Sequence, residues 1–375
     1  MNVEYSQRIK NLPPYLFIEI DNAKKAARAK GADLIDLGIG DPDSPTPQVI
    51  IDALNKVIKD PSTHRYPLGD GHILFRQEIA KWYKKRFNVE VDAQTEIVAL
   101  IGSKEGIAHL PFAFIDKDDV VLVPDPGYPV YRSATNFAGG QIHVMPLKEK
   151  NGFLPVLSDI PEEIRKKAKL MFLNYPNNPT AAVATKEFFQ EVVTFAKKYN
   201  IIVCHDAAYT EVFFEGHKPL SFLEIEGAKE VCVEMHSLSK TCNMTGWRVG
   251  FAVGNADIVK GLSKIKGNTD SGVFTAIQMA GVKALQEVDM ITKEMNAKYE
   301  ARRNTLVKGL KSLGVEVSAP KATFYVWVKN FAGYDSITLA KKILNEAEVV
   351  VTPGNGFGEY GEGYIRFALT VDCPR

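Results

Sequence analysis

The sequence predicts an α/β protein with a mostly parallel central sheet flanked by helices and a smaller α+β domain beside it. Three observations carry that expectation. Short apolar runs of strand length recur through the middle of the chain: Val120 to Val123, Lys169 to Leu173, Ile201 to Cys204, Val231 to Met235 and Val249 to Val253. Helical patterns such as Lys186 to Tyr199 stand between several of them, and that alternation places strands parallel with helices packed on the sheet. The chain has 375 residues, beyond the size at which a single core stops growing, so two domains are expected. The expected division is an N-terminal arm at 1–41 that joins the small domain, a large domain at 42–282 and a small C-terminal domain at 283–375.

In chain order, each element runs into residues able to carry chemistry. Leu37-Gly38-Ile39-Gly40-Asp41 and Arg65-Tyr66-Pro67 lie in the first part of the chain. Glu96 to Leu100 reads as a strand and leads into Ile101-Gly102-Ser103-Lys104-Glu105-Gly106, where a helical pattern starts. The free N–H groups at a helix start favour a phosphate. Pro126-Gly127-Tyr128 follows the Val120 run. Asn174-Tyr175-Pro176-Asn177-Asn178-Pro179-Thr180 follows the Lys169 run, and its two prolines stiffen a turn that can hold the Asn178 amide toward a ligand. The Ile201 run ends in His205-Asp206-Ala207-Ala208-Tyr209. An acid at the C-terminal end of a buried strand faces the crevice where open α/β sheets bind ligands, although an aspartate there also serves as a simple cap. The Val231 run leads into His236-Ser237-Leu238-Ser239-Lys240 and on to Arg248. Ser263 to Leu285 and then Glu287 to Leu313 read as long helix bridging to the second domain, in which Phe324 to Val328 alternates and Ile337 to Glu346 is helical. Gly354-Asn355-Gly356-Phe357-Gly358 lacks the spacing of a nucleotide loop and reads as a turn near the substrate mouth.

Lysine set between small hydroxyl residues, with an arginine close behind, is how a chain binds an aldehyde cofactor through the amine and its phosphate through hydroxyls and a guanidinium. An amine attacks a carbonyl only when unprotonated, and neighbouring cations lower its pKa toward working pH. Ser-x-Ser-Lys by itself is common on solvated turns. Asp206 adds the missing weight: pyridoxal phosphate works as an electron sink only while its ring nitrogen is protonated, and a paired acid keeps the proton there. The Asn178 amide and the Tyr209 hydroxyl would then hydrogen-bond the phenolate oxygen of the ring.

The order of these blocks resembles the fold-type I pyridoxal-phosphate aminotransferases. By that resemblance Gly102, Ser103 and Lys104 are the phosphate turn, Tyr128 stacks on the ring, Asn178 touches the ring oxygen, and Asp206 and Tyr209 are the pyridinium acid and its phenol partner. Ser237, Ser239, Lys240 and Arg248 match the cofactor-linking lysine and the phosphate ligands. Arg366, in Tyr364-Ile365-Arg366-Phe367, matches the arginine that grips the substrate α-carboxylate, aided by Asn178 and by the backbone at Ile39 and Gly40. Lys240, Asp206 and Tyr209 form the implied catalytic set. Tyr66 would reach the phosphate of the neighbouring subunit, which implies a homodimer with shared active sites. The reaction implied is ping-pong transfer of an amino group from an amino acid to a 2-oxo acid. Leu12-Pro13-Pro14-Tyr15-Leu16-Phe17, Leu37 to Asp43, Thr269 to Phe274 and Val351 to Gly358 resemble the branch of the family that takes LL-diaminopimelate, in lysine biosynthesis, with 2-oxoglutarate as acceptor. Broad-specificity aspartate, alanine and aromatic aminotransferases share part of that text, and a lyase or synthase of the same fold would keep every cofactor residue. Lys104, Tyr128 and Asn268 stand as contributors to the distal substrate pocket. Two departures from the family pattern are Cys242, where an aromatic is common, and a sequence that stops at Arg375, short of the usual closing helix, which bears on the packing of the small domain.

Composition narrows the alternatives. Lys and Arg total 46 against 45 acids, so the chain carries no signature of polyanion binding, and nucleic acid is not an expected partner. Cys204, Cys232, Cys242 and Cys373 match no zinc or C-x-x-C spacing and are expected to be reduced, with no metal site. No signal-peptide core or membrane-length apolar run stands out, so a cytoplasmic protein without membrane contact is expected. His205 beside Asp206 suggests a dyad, yet neighbours on a strand face opposite sides, so a packing histidine is the better reading. Glu162-Glu163 with Lys166-Lys167 reads as a solvated helix face.

Overall fold

A computed structural model describes all residues except Asn2, Asn11, Pro13, Pro14, Tyr15, Leu68 and Arg375. The Pro13 to Tyr15 part of the N-terminal match lies outside the described residues. The strands in chain order are β1 (Ile35–Asp36), β2 (Ile97–Leu100), β3 (Val120–Asp125), β4 (Gln141–Pro146), β5 (Ala168–Asn174), β6 (Ile202–Asp206), β7 (Cys232–Ser237), β8 (Gly250–Gly254), β9 (Tyr325–Lys329), β10 (Val349–Val350), β11 (Thr352–Pro353) and β12 (Tyr364–Ala368).

The central sheet runs β2-β8-β7-β6-β5-β3-β4. All its pairings are parallel except those of β8, which lies antiparallel to both β2 and β7. Both faces are buried, and the side chains divide between them with the period of two that a strand imposes. Val121, Val123, Leu170, Phe172 and Cys204 join one core with the helices Ser103–Phe114 and Ala256–Thr269. Leu122, Met171, Leu173 and Val203 join the other, with the helices Ile73–Phe87, Lys186–Tyr199 and Thr275–Gln286. Lys186–Tyr199 shows how such a helix is specified. Thr185 caps its start by accepting from the Phe188 N–H at 3.1 Å, Asn200 ends it in the left-handed conformation at φ 56°, and Phe188, Phe189, Val192 and Val193 are buried between. Emptying the Phe189 site to alanine would cost about 3–5 kcal/mol.

Four of the expected strands extend further than their apolar runs, because the polar residues that finish them, Asp125, Asn174, Asp206 and Ser237, remain in the ladder. Of those polar ends, Asp206 and Ser237 open onto the site, and Asp125 and Asn174 lie beside it. The expected helix from Ser263 to Leu285 is instead two helices, Ala256–Thr269 and Thr275–Gln286, followed by Val288–Ser312. Asp270 breaks it: its Oδ1 accepts from the Gly272 N–H at 2.6 Å and from Lys266 Nζ at 2.8 Å, and Gly272 sits at φ 93°.

Beyond the central sheet, β1 pairs in parallel with β10, and β11-β12-β9 form an antiparallel sheet. The N-terminal segment is thereby joined to the C-terminal part of the chain. Arg302, on the helix Val288–Ser312, fastens the joint by donating to both oxygens of Asp43 at 2.7 Å. Among the described residues no helix is long and apolar enough to cross a membrane.

Candidate active site

The C-terminal ends of β6 and β7, and the turns following β2, β3 and β5, surround a cavity of about 270 Å³. Asp206 reaches it from the last position of β6, 5% exposed. Its Oδ2 accepts from the Tyr131 hydroxyl at 2.8 Å, whereas its buried Oδ1 has no partner among the described residues. Burial pushes the carboxyl up to about 6, against the pull of Tyr131. Asn174 ties the neighbouring turn to this strand end: its amide donates to the Asp206 carbonyl at 2.8 Å while its Oδ1 accepts from the Asn178 N–H at 2.7 Å. His205 faces the other way. It bonds Glu234 at 2.6 Å and the Tyr175 carbonyl at 2.9 Å and takes no part in a dyad with Asp206.

Lys240 belongs to a single helical turn, Leu238–Thr241, capped by Ser237, whose hydroxyl accepts from the Ser239 N–H at 3.2 Å. Its Nζ donates to the Gly40 carbonyl at 2.9 Å. Burial pulls its pKa down to about 8; Asp41 opposes this, and Arg248 and Arg366 add to it. Burial, rather than the neighbouring arginine expected from the sequence, is the larger cause. Gly102 precedes the helix Ser103–Phe114 at φ 74°, and a Cβ there would fall 2.5 Å from Arg248 Nη2, so only glycine lets the guanidinium lie against the helix start. Ser103, Lys104, Ser237, Ser239 and Arg248 line the same cavity.

Opposite them stands Arg366 from β12, 1% exposed. Its Nη1 donates to Asn178 Oδ1 and its Nη2 to the Gly38 carbonyl, both at 2.7 Å, and its buried Nε has no partner among the described residues. The guanidinium lies between the Tyr325 ring at 4.2 Å and the Phe357 ring at 4.7 Å, which places the Gly354 to Gly358 turn beside it. Tyr325 also meets Tyr209, hydroxyl to hydroxyl at 3.1 Å, and it crowds Gly40 so closely that a Cβ there would lie 1.9 Å from its oxygen.

Ile39, Gly40, Ser103, Lys104, Tyr128, Asn178, Asp206, Tyr209, Ser237, Ser239, Lys240, Arg248 and Arg366 therefore converge on one cavity, with Gly102 behind it. Two expected residues lie elsewhere in the chain. Tyr66 is 89% exposed and does not line the cavity of its own subunit. Asn268 does not line it either: it sits on the exposed face of the helix Ala256–Thr269, whose buried face is Ile258, Val259, Leu262 and Lys266, and its amide donates to the Lys264 carbonyl. Four cavity or cavity-supporting residues escape the sequence reading: Tyr131, Ala208, Thr245 and Tyr325. Tyr131 carried a usable signal, since it follows Tyr128 by three positions at the start of a helix. Cys242 is fully buried, and burial pushes its thiol well up, so it packs rather than reacts. Glu105, His109 and Asp270 could together hold a metal ion, but the Lys266 ammonium lies among them, 3.0 Å from Glu105 and 2.8 Å from Asp270, and supplies the cation.

The donor set fits pyridoxal phosphate. An orphaned carboxylate oxygen at a strand end suits a protonated ring nitrogen, hydroxyls and a guanidinium at a helix start suit the phosphate, and a buried lysine of lowered pKa suits the aldehyde. The chain matches the family described as Aminotransferase class I and II over residues 32–373 and belongs to it; it is a pyridoxal-phosphate-dependent aminotransferase. The LL-diaminopimelate aminotransferase of Syntrophobacter fumaroxidans is 55% identical over 370 residues, covering 99% of this chain and 95% of that one. That of Desulforudis audaxviator is 53% identical over 375 residues, covering 100% and 96%. The substrate-bound structure of BacF from Bacillus subtilis superposes with a TM-score of 0.94 at 38% identity, covering 100% of this chain and 95% of that one.

Proposed function

We propose that this protein moves the amino group of LL-diaminopimelate to 2-oxoglutarate. The observation that carries the substrate is whole-chain identity above half to relatives bearing that activity. The chemistry rests on the cavity. When bound, the cofactor draws electrons from the substrate α-carbon. Lys240 takes the α-proton on Nζ and returns it, which an amine pulled down to about 8 can do near neutral pH. Asp206 Oδ1 holds the proton on the ring nitrogen. Asn178 and Tyr209 hydrogen-bond the ring oxygen, and because Asn178 Oδ1 is engaged by Arg366, the amide presents its NH₂ side. Ser103, Ser237, Ser239, Lys104, Arg248 and the N–H groups beyond Gly102 hold the phosphate, and Tyr128 covers the ring. Arg366 takes the substrate carboxylate, and its partnerless Nε supports that role by leaving a buried charged donor for an anionic acceptor. The Ile39–Gly40 backbone closes the carboxylate site.

The active unit in this reading is a homodimer, because Tyr66 is exposed on its own subunit and completes the partner's phosphate site. The protein is read as cytoplasmic, in keeping with free thiols at Cys204, Cys232, Cys242 and Cys373. The 2-oxo acid formed from LL-diaminopimelate still carries an amine and closes on itself to tetrahydrodipicolinate. The test is LL-diaminopimelate as sole amino donor with 2-oxoglutarate: glutamate and an o-aminobenzaldehyde-reactive product are expected to appear in step. Absence of both at millimolar donor, with transamination of another amino acid intact, would move the assignment to a broad-specificity aspartate, alanine or aromatic aminotransferase.

A further inference from the structure

Asp125 ends β3 just outside the cavity, with its side chain 1% exposed. Its carboxylate is fully used: Oδ2 accepts from Arg132 Nη2 at 2.6 Å and from the Glu359 N–H at 3.2 Å, and Oδ1 accepts from the Tyr360 N–H at 3.0 Å. A strand end of the central sheet thus holds a turn from the far end of the chain. The fit is close, because a Cβ on Gly358 would lie 2.2–2.4 Å from the carboxylate atoms. A second tie runs beside it, from the Gly127 N–H to the Phe357 carbonyl at 2.9 Å. Phe357 is the ring that walls one side of the Arg366 guanidinium, and Gly127 adjoins Tyr128, a cavity residue.

We propose that Asp125 is a positioning residue for carboxylate recognition: by holding the Glu359 and Tyr360 amides it seats Phe357 against Arg366 and keeps the guanidinium plane set for a substrate carboxylate. The inference rests on the reading of Arg366 given above. It requires a carboxylate rather than an amide at 125, since asparagine would point an NH₂ group at one of two backbone donors or at a guanidinium. Loss of a buried charge-assisted contact of this kind lowers affinity by about tenfold or more.

Asp125→Asn in the holoenzyme tests it, with glutarate as a non-reacting dicarboxylate probe. The expected result is a rise of about tenfold in the glutarate inhibition constant and in KM for both substrates, with kcat within about threefold of wild type. Amide hydrogen exchange in residues 354–361 is expected to quicken, while cofactor absorbance and occupancy stay unchanged. Gly358→Ala, which pushes the turn off an intact Asp125, is expected to give the same split and stands in if Asp125→Asn does not fold. Faster exchange with unchanged glutarate affinity would overturn the proposal, as would unchanged exchange. If Arg366→Lys also leaves glutarate binding unchanged, the carboxylate site itself is misplaced and both readings fall.

Discussion

Replacing Asp206 by asparagine should stabilise the cofactor-free protein while nearly abolishing its activity. The side chain is 5% exposed and its carboxyl is pushed from 3.8 to about 6. In the unfolded chain the group loses its proton near 3.8, whereas in the folded chain it keeps it until about 6. The cost of holding the buried carboxylate therefore builds between those values and is complete above pH 6. A difference of about two units corresponds to about 3 kcal/mol. Asparagine keeps the size and can still accept from the Tyr131 hydroxyl, but it never ionises. At pH 7.5 the cofactor-free variant should melt several degrees above cofactor-free wild type, and the gap should shrink as pH falls through 6 toward 4. Scanning calorimetry of both proteins, stripped of cofactor, at pH 5 and 7.5 measures this. Turnover of the loaded variant should fall by about 10³ or more, because a neutral amide cannot hold the ring proton. A variant no more stable than wild type at pH 7.5, or one with near-normal turnover, would refute the role assigned to Asp206.

Lys240→Ala should remove transamination, and borohydride reduction of the wild type should fix the cofactor on the peptide containing Lys240; cofactor fixed on another lysine would contradict the assignment. Arg366→Lys loses the planar fork and the slot between Tyr325 and Phe357, so KM should rise about 10- to 100-fold for donor and acceptor alike. An effect on one substrate alone would argue against a shared carboxylate site. Mixing Tyr66→Phe with Lys240→Ala subunits should restore part of the activity, since a hybrid dimer holds one site with both residues intact. A fully active monomer would refute the shared site.

Residues that finish apolar runs were the legible ones. Asp206, Asn178, Ser237 and Lys240 each stand where a buried strand gives out, so local pattern and chemistry coincide. Tyr325 is not legible for the opposite reason: it sits inside the apolar alternation of a strand, where an aromatic is the ordinary core residue, whereas Tyr131 shows only its spacing from Tyr128 and nothing of its partner. The Tyr131 role depends on a contact 75 positions away, and the Glu234 network that joins His205, Tyr83 and Ser221 spans up to 151, distances at which spacing carries no information. The break at 270–274 is masked in the sequence because the apolar rhythm of the flanking helices continues across it, and only the Asp-Ser-Gly turn signals it. Asn268, like Tyr66, lies on the surface of its own subunit, because its helix phase turns it away from that subunit's cavity.

The central claim is the donor. Measuring kcat/KM for LL-diaminopimelate against aspartate, glutamate, alanine and the aromatic amino acids, each with saturating 2-oxoglutarate, tests it most directly. LL-diaminopimelate should lead every ordinary amino acid by at least tenfold, equivalent to about 1.4 kcal/mol of transition-state discrimination. A tenfold preference for any ordinary amino acid would contradict the account.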